Sequence, residues 1–109
     1  MVKDRGALPN DWKKITACLD YQAFVLAVPS DLPVAAHQQL SEALKQLGRV
    51  RQELLGVAYV EATWGFLVVP PVGFPEIKIN FFHTTGGSQV KQVLRRVAVL
   101  LQTAKDGRA

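Results

Sequence analysis

Apolar positions change their spacing along the chain, and each change predicts an element. The stretch "KKITACLDYQAFVLAVPS" holds two β-prone runs, Ile15 to Leu19 and Ala23 to Val28, separated by polar Asp20 to Gln22. That arrangement predicts a hairpin. The second run is apolar at nearly every position, the pattern of a strand covered on both faces. After Val28 the period lengthens. Ala36, Leu40, Ala43, Leu44, Leu47, Val50 and Leu54 recur at steps of three and four, which is one stripe of a helix. Ser30 or Asp31 supplies its N-cap, and Pro33 fits a first turn whose amides have no helical partners. A mid-helix glycine costs about 1 kcal/mol relative to alanine, so the helix kinks or ends at Gly48, with Gly56 its latest end.

The next run, "VAYVEATWGFLVVPP", reads as two strands broken at Trp64-Gly65 and stopped by Pro70 and Pro71, neither of which donates an amide hydrogen. In "EIKINFF" the residues Ile77, Ile79 and Phe81 alternate with Lys78 and Asn80, predicting a half-exposed strand. A closing helix runs from Ser88 to about Ala104. Val90, Val93, Leu94, Val97, Leu100, Leu101 and Ala104 share one face, and Gln89, Gln92, Arg95, Arg96, Gln102 and Lys105 lie mostly opposite. Val99 falls off the stripe.

The order β-β-α-β-β-β-α predicts an α+β domain, a mostly antiparallel sheet with both helices on one face. If the first hairpin is one long strand, a ferredoxin-like arrangement is the alternative. The element order is similar to that of roadblock and longin-like adaptor domains. The resemblance rests on order alone, without a shared motif, and implies an adaptor role by analogy of fold.

A chain of 109 residues fits one domain. Residues 1–11 mix charges with Gly6, Pro9 and Asn10 and show no periodicity, so they are expected to form a mobile arm. Residues 12–109 then form the folded unit. At 49% hydrophobic and 20% charged, disorder throughout is excluded. The apolar content exceeds what so small a monomer readily buries, which predicts self-association into a homo-oligomer.

A single cysteine, Cys18, rules out an internal disulfide framework and indicates a cytoplasmic protein. "MVKDRGALPNDWKK" has no apolar core of a signal peptide, and no apolar run reaches the roughly 18 residues of a membrane span. The net charge of +4 permits an acidic partner. Its excess lies in the C-terminal segment, where Lys91, Arg95, Arg96, Lys105 and Arg108 face only Asp106. Arg95 and Arg96 with Lys91 make phosphate-backbone binding of nucleic acid the alternative function.

"HTTGGSQVKQV" joins the last strand to the last helix. Gly86 and Gly87 suit positive φ at such a junction, with Ser88 as N-cap. Thr84, Thr85, Ser88 and Lys91 also make it a weaker candidate for a small anionic ligand at a helix N-terminus. The glycine spacing and Gly-Lys-Ser/Thr ending of a P-loop are absent, and Ser88-x-x-Lys91 lacks the companion motifs of serine acylases. His37, His83, Asp20 and Glu61 are scattered singly, without metal-ligand spacing or an acid–base pairing. The two histidines are expected at the surface or in caps, and Cys18 in the core. No cofactor or catalytic constellation is called for. Apolar Phe74 and Val72 in the proline-stiffened "PPVGFP", together with Val99, are the expected anchors of a protein interface. The sequence thus reads as a non-enzymatic interaction or adaptor module that engages itself and another protein.

Overall fold

The computed structural model describes residues 12–15 and 21–106. Eight elements follow one another: β1 (Trp12–Ile15), β2 (Tyr21–Ala27), α1 (Val34–Lys45), β3 (Arg49–Leu54), β4 (Val57–Ala62), β5 (Gly65–Val69), β6 (Glu76–Phe82) and α2 (Gly87–Asp106). The expected mobile arm and Cys18 lie outside the described residues. All six strands form one sheet in the order β1-β2-β6-β5-β4-β3, every pair antiparallel. Both helices cover one face. The α+β class and the layer arrangement are as the periodicity predicts.

β1 and β2 are separate antiparallel strands, with Trp12 opposite Leu26, so the ferredoxin-like alternative does not hold. The first helix is shorter than its apolar stripe. It starts at Val34 with Pro33 as N-cap, and no side chain caps it, so neither Ser30 nor Asp31 takes that role. Its last turn tightens, the amides of Gln46 and Leu47 donating to the carbonyls of Ala43 and Leu44. The helix ends before Gly48, the earlier of the two limits the sequence allowed, and Arg49–Leu54, whose Val50 and Leu54 extend the helical stripe, is strand β3. Gly48 explains the switch: a Cβ there would overlap the Glu61 carbonyl oxygen of β4. At this close crossing only glycine lets the chain turn onto the sheet. β3 adds one strand between α1 and β4 to an order that otherwise follows the expected one.

The core lies between sheet and helices. Alternate residues Phe24 and Leu26, Ile77, Ile79 and Phe81, Leu67 and Val69, and Ala58 and Val60 are buried with Leu40 and Leu44 of α1 and Val90, Leu94, Val97 and Leu101 of α2. Phe81 is its aromatic hub, meeting Phe24 edge-on at 5.7 Å and Trp64 at 5.3 Å between ring centroids. Trp12 locks the edge strand to this core. Its Nε1 donates to the Leu94 carbonyl at 2.9 Å, a buried bond joining residues far apart in the chain.

β2 was expected to be covered on both faces. On the side opposite the helices Ala23 is buried, Val25 half-buried and Ala27 exposed, and among the described residues no second layer packs there. Among the described residues no helix is long and apolar enough to cross a membrane.

Candidate interaction surface

The uncovered face of the sheet follows from strand parity. Residues that pair directly across strands share a face, so each register row on the open side can be read in order. One row runs Lys13, Val25, Lys78, Val68, Tyr59, Gln52, and the next runs Ala23, Asn80, Phe66, Glu61, Arg49. Lys78 and Asn80 on the central strand β6 interrupt these rows, and the apolar and aromatic stretch is Val68, Phe66 and Tyr59 on β5 and β4 beside them.

At one end of this face lies a concavity of about 480 Å³. Val57, Tyr59, Phe66 and Val68 line it from β4 and β5, Pro70, Pro71 and Phe74 from the β5–β6 loop, and Glu76, Lys78 and Asn80 from β6. A second depression of about 230 Å³ continues it, sharing Tyr59 and Phe66 and reaching Arg51 and Glu61. Those last two form an exposed ion pair at 3.5 Å.

Loop chemistry shapes the wall. The amide of Phe74 donates to the Pro71 carbonyl at 3.0 Å, and Gly73 has φ 90°. With Val72 at negative φ, this is a type II turn, whose third position favours glycine. The Val28 amide, donating to the Pro75 carbonyl at 2.8 Å, ties down the far side of the loop. Phe74 thereby borders the concavity at 49% exposure, and Val72 stands at the turn apex. Val99, the third expected anchor, is exposed on α2, across the sheet from the other two.

The expected anion site is arranged differently. Helix α2 begins at Gly87, and the Val90 amide donates to the Gly86 carbonyl, which makes Gly86 the N-cap and puts Ser88 inside the first turn. Neither Gly86 nor Gly87 has positive φ, and a Cβ at either would meet nothing within 4 Å. Thr85 is committed to the fold: its Oγ1 donates to the Trp64 carbonyl at 2.9 Å, pinning this junction to the β4–β5 turn. Thr84 and Ser88 are exposed and Lys91 is half-buried. Arg95 and Arg96 are exposed on α2 and, like Lys91, form no ion pair among the described residues.

His83 is exposed as expected. His37 corrects its expected place near the surface: it is 2% exposed, and neither ring nitrogen has a hydrogen-bond partner among the described residues. Lys45 has a structural task. Its Nζ lies 2.8 Å from Glu53 and 3.7 Å from Glu42, stapling the end of α1 to β3. The hydrogen bond to Glu53 foremost, against opposing desolvation, holds its ammonium above the ordinary 10.5. Among the described residues no three of His, Cys, Asp and Glu converge as metal ligands would.

Sequence reasoning missed Tyr59, Phe66 and Val68. Their signal was parity: each sits out of phase with the core set Ala58, Val60, Leu67 and Val69. Comparison of the chain with family models, curated proteins and solved structures returned no match.

Proposed function

We propose that this protein is a small, non-enzymatic, cytoplasmic interaction module that associates with itself through the open face of its sheet. The apolar concavity bordered by Phe74 supports this reading most directly. A contiguous apolar patch on an otherwise covered domain is the ordinary mark of a protein interface. Its composition agrees, since aromatic side chains and few charges characterise interface centres. Exposed Arg95 and Arg96, without ion pairs among the described residues, favour a second reading as a phosphate-backbone binder.

Sedimentation velocity over a concentration series, with and without short nucleic acid, separates the two. Wild-type protein is expected to assemble regardless of nucleic acid, and Phe74→Ser to shift it toward monomer while the melting temperature holds. An assembly mass unchanged by Phe74→Ser refutes the role of the open face. A monomer that sediments faster only with nucleic acid, and less so at high salt, supports the second reading instead.

A further inference from the structure

The β3–β4 hairpin turns on Leu55 and Gly56, whose φ values are 55° and 83°. Two central residues of positive φ define the type I′ turn, which favours Asn-Gly, Asp-Gly or Gly-Gly. Leucine is a poor choice for the first of these positions, because its Cβ crowds the backbone in the left-handed region. Leu55 is also 89% exposed, and Leu54 beside it 58%. Neither turn chemistry nor packing among the described residues accounts for two leucines at this tip. A strained backbone that presents apolar surface is a reason to look for contact with another molecule.

The tip abuts the concavity. Leu54 pairs with Val57, which lines it, and a Cβ at Gly56 would stand 3.1 Å from the Cβ of Pro71, another lining residue. A knob beside a hole on one surface is self-complementary: a two-fold axis between them seats each tip in the other copy's hole and closes the assembly at two. The dimensions agree. A cavity of roughly 150 Å³ accepts a benzene-sized group, so the 480 Å³ here holds a two-leucine tip. The lining carries one acid, Glu76, and one base, Lys78, a balance suited to an uncharged guest.

Area is adequate as well. Six strands about 4.8 Å apart and roughly 17–20 Å long offer on the order of 500 Å² in projection. The hairpin and loop tips extend this toward the ~800 Å² per partner of a standard interface. Edge-to-edge pairing, the competing route, is obstructed on both sides. β1 has four residues and includes Lys13, and β3 carries Arg49, Arg51 and Glu53 with an irregular register between Val50 and Gln52. Short edges, charges and bulges are the usual means of discouraging strand addition.

We propose that the partner on the open face is a second copy of this chain, each copy inserting its Leu54–Leu55 tip into the concavity of the other; the proposal rests on the self-association reading above. Leu55→Asn tests it, because asparagine adopts left-handed φ more readily and leaves the turn intact. Sedimentation equilibrium of Leu55→Asn is expected to show dimerisation weakened at least tenfold, as for Phe74→Ser. Its melting temperature, read at a dilution where both proteins are monomeric, should equal or exceed that of wild type. A Leu55→Asn protein that dimerises like wild type while Phe74→Ser does not overturns the insertion and leaves association through the face standing. A lowered monomer melting temperature also overturns it, by placing Leu55 in its own chain's packing. Wild-type protein that stays monomeric at every concentration overturns both readings.

Discussion

Replacing His37 with leucine should make the protein more stable. An imidazole carries two polar ring nitrogens, and here both are buried without a hydrogen-bond partner among the described residues. A buried unsatisfied polar group costs about 1–3 kcal/mol, whereas an apolar replacement of similar shape removes that cost. His37 shares the helical stripe of Leu40 and Leu44, which are 2% and 0% exposed, so a leucine side chain enters surroundings of its own kind. Imperfect repacking returns up to about 1.5 kcal/mol of the gain. A net stabilisation centred on about 1 kcal/mol follows, or a melting temperature about 4–8 °C higher for a domain of this size. Circular dichroism melts and urea titrations of wild type and His37→Leu, at one pH and at dilution, make the comparison. An unchanged or lower midpoint refutes the reasoning, because it means that the ring nitrogens are satisfied in solution.

Trp12→Phe removes the hydrogen bond to the Leu94 carbonyl and leaves a void where the larger ring was; the urea midpoint should fall by about 0.5–1 M for a loss of about 1–2 kcal/mol. An unchanged midpoint would mean that β1 is not docked on α2. Lys45→Met removes the staple between α1 and β3, with an effect below about 1 kcal/mol, as for other solvent-accessible pairs. Since the Lys45 pKa is raised in the folded state, the pair stabilises fully below the unfolded value of 10.5 and loses that contribution as pH rises through the higher folded value. The difference in melting temperature between wild type and Lys45→Met should therefore be largest below pH 10.5 and shrink as pH rises above it; a difference that grows with pH would contradict the assignment.

The fold was legible wherever one periodicity prevailed. α2 shows a single stripe from Val90 to Ala104, and β6 alternates cleanly from Ile77 to Phe81; both elements formed within two residues of their expected limits. Reading failed where two periods fitted the same letters. Val50 and Leu54 extend the α1 stripe by spacing, and Arg, Gln and Glu are good helix formers, yet the backbone crossing at Gly48 and the reversal at Leu55 and Gly56 imposed a strand. The two glycines bracketing that segment were the available signal. His37 was misplaced for a related reason: its polarity suggested the surface, and its position on the stripe determined its burial. In the candidate site, Phe74 was legible as an apolar residue in a stiff loop. Tyr59, Phe66 and Val68 were not, because a strand's second face is marked only by parity, and parity does not reveal which face lacks a cover.

The sheet's two kinds of exposed surface carry opposite chemistry, and the contrast bears on how the protein would choose a partner. Its edges, where any extended chain could add through backbone hydrogen bonds, are short or charged and irregular. Its open face, where binding requires side chains of matching shape, carries an apolar and aromatic stretch of Val57, Tyr59, Phe66, Val68 and Phe74 beside Glu76, Lys78 and Asn80. Backbone pairing at an edge is nearly blind to sequence, whereas a knob in a hole discriminates through packing. Blocking the first route while leaving the second open favours one defined assembly over indiscriminate sheet growth. If the tip inserts as proposed, the leucine at the β3–β4 turn is a specificity element: its backbone strain is present in both states, and burial of its side chain in a surface shaped to receive it is what offsets the strain.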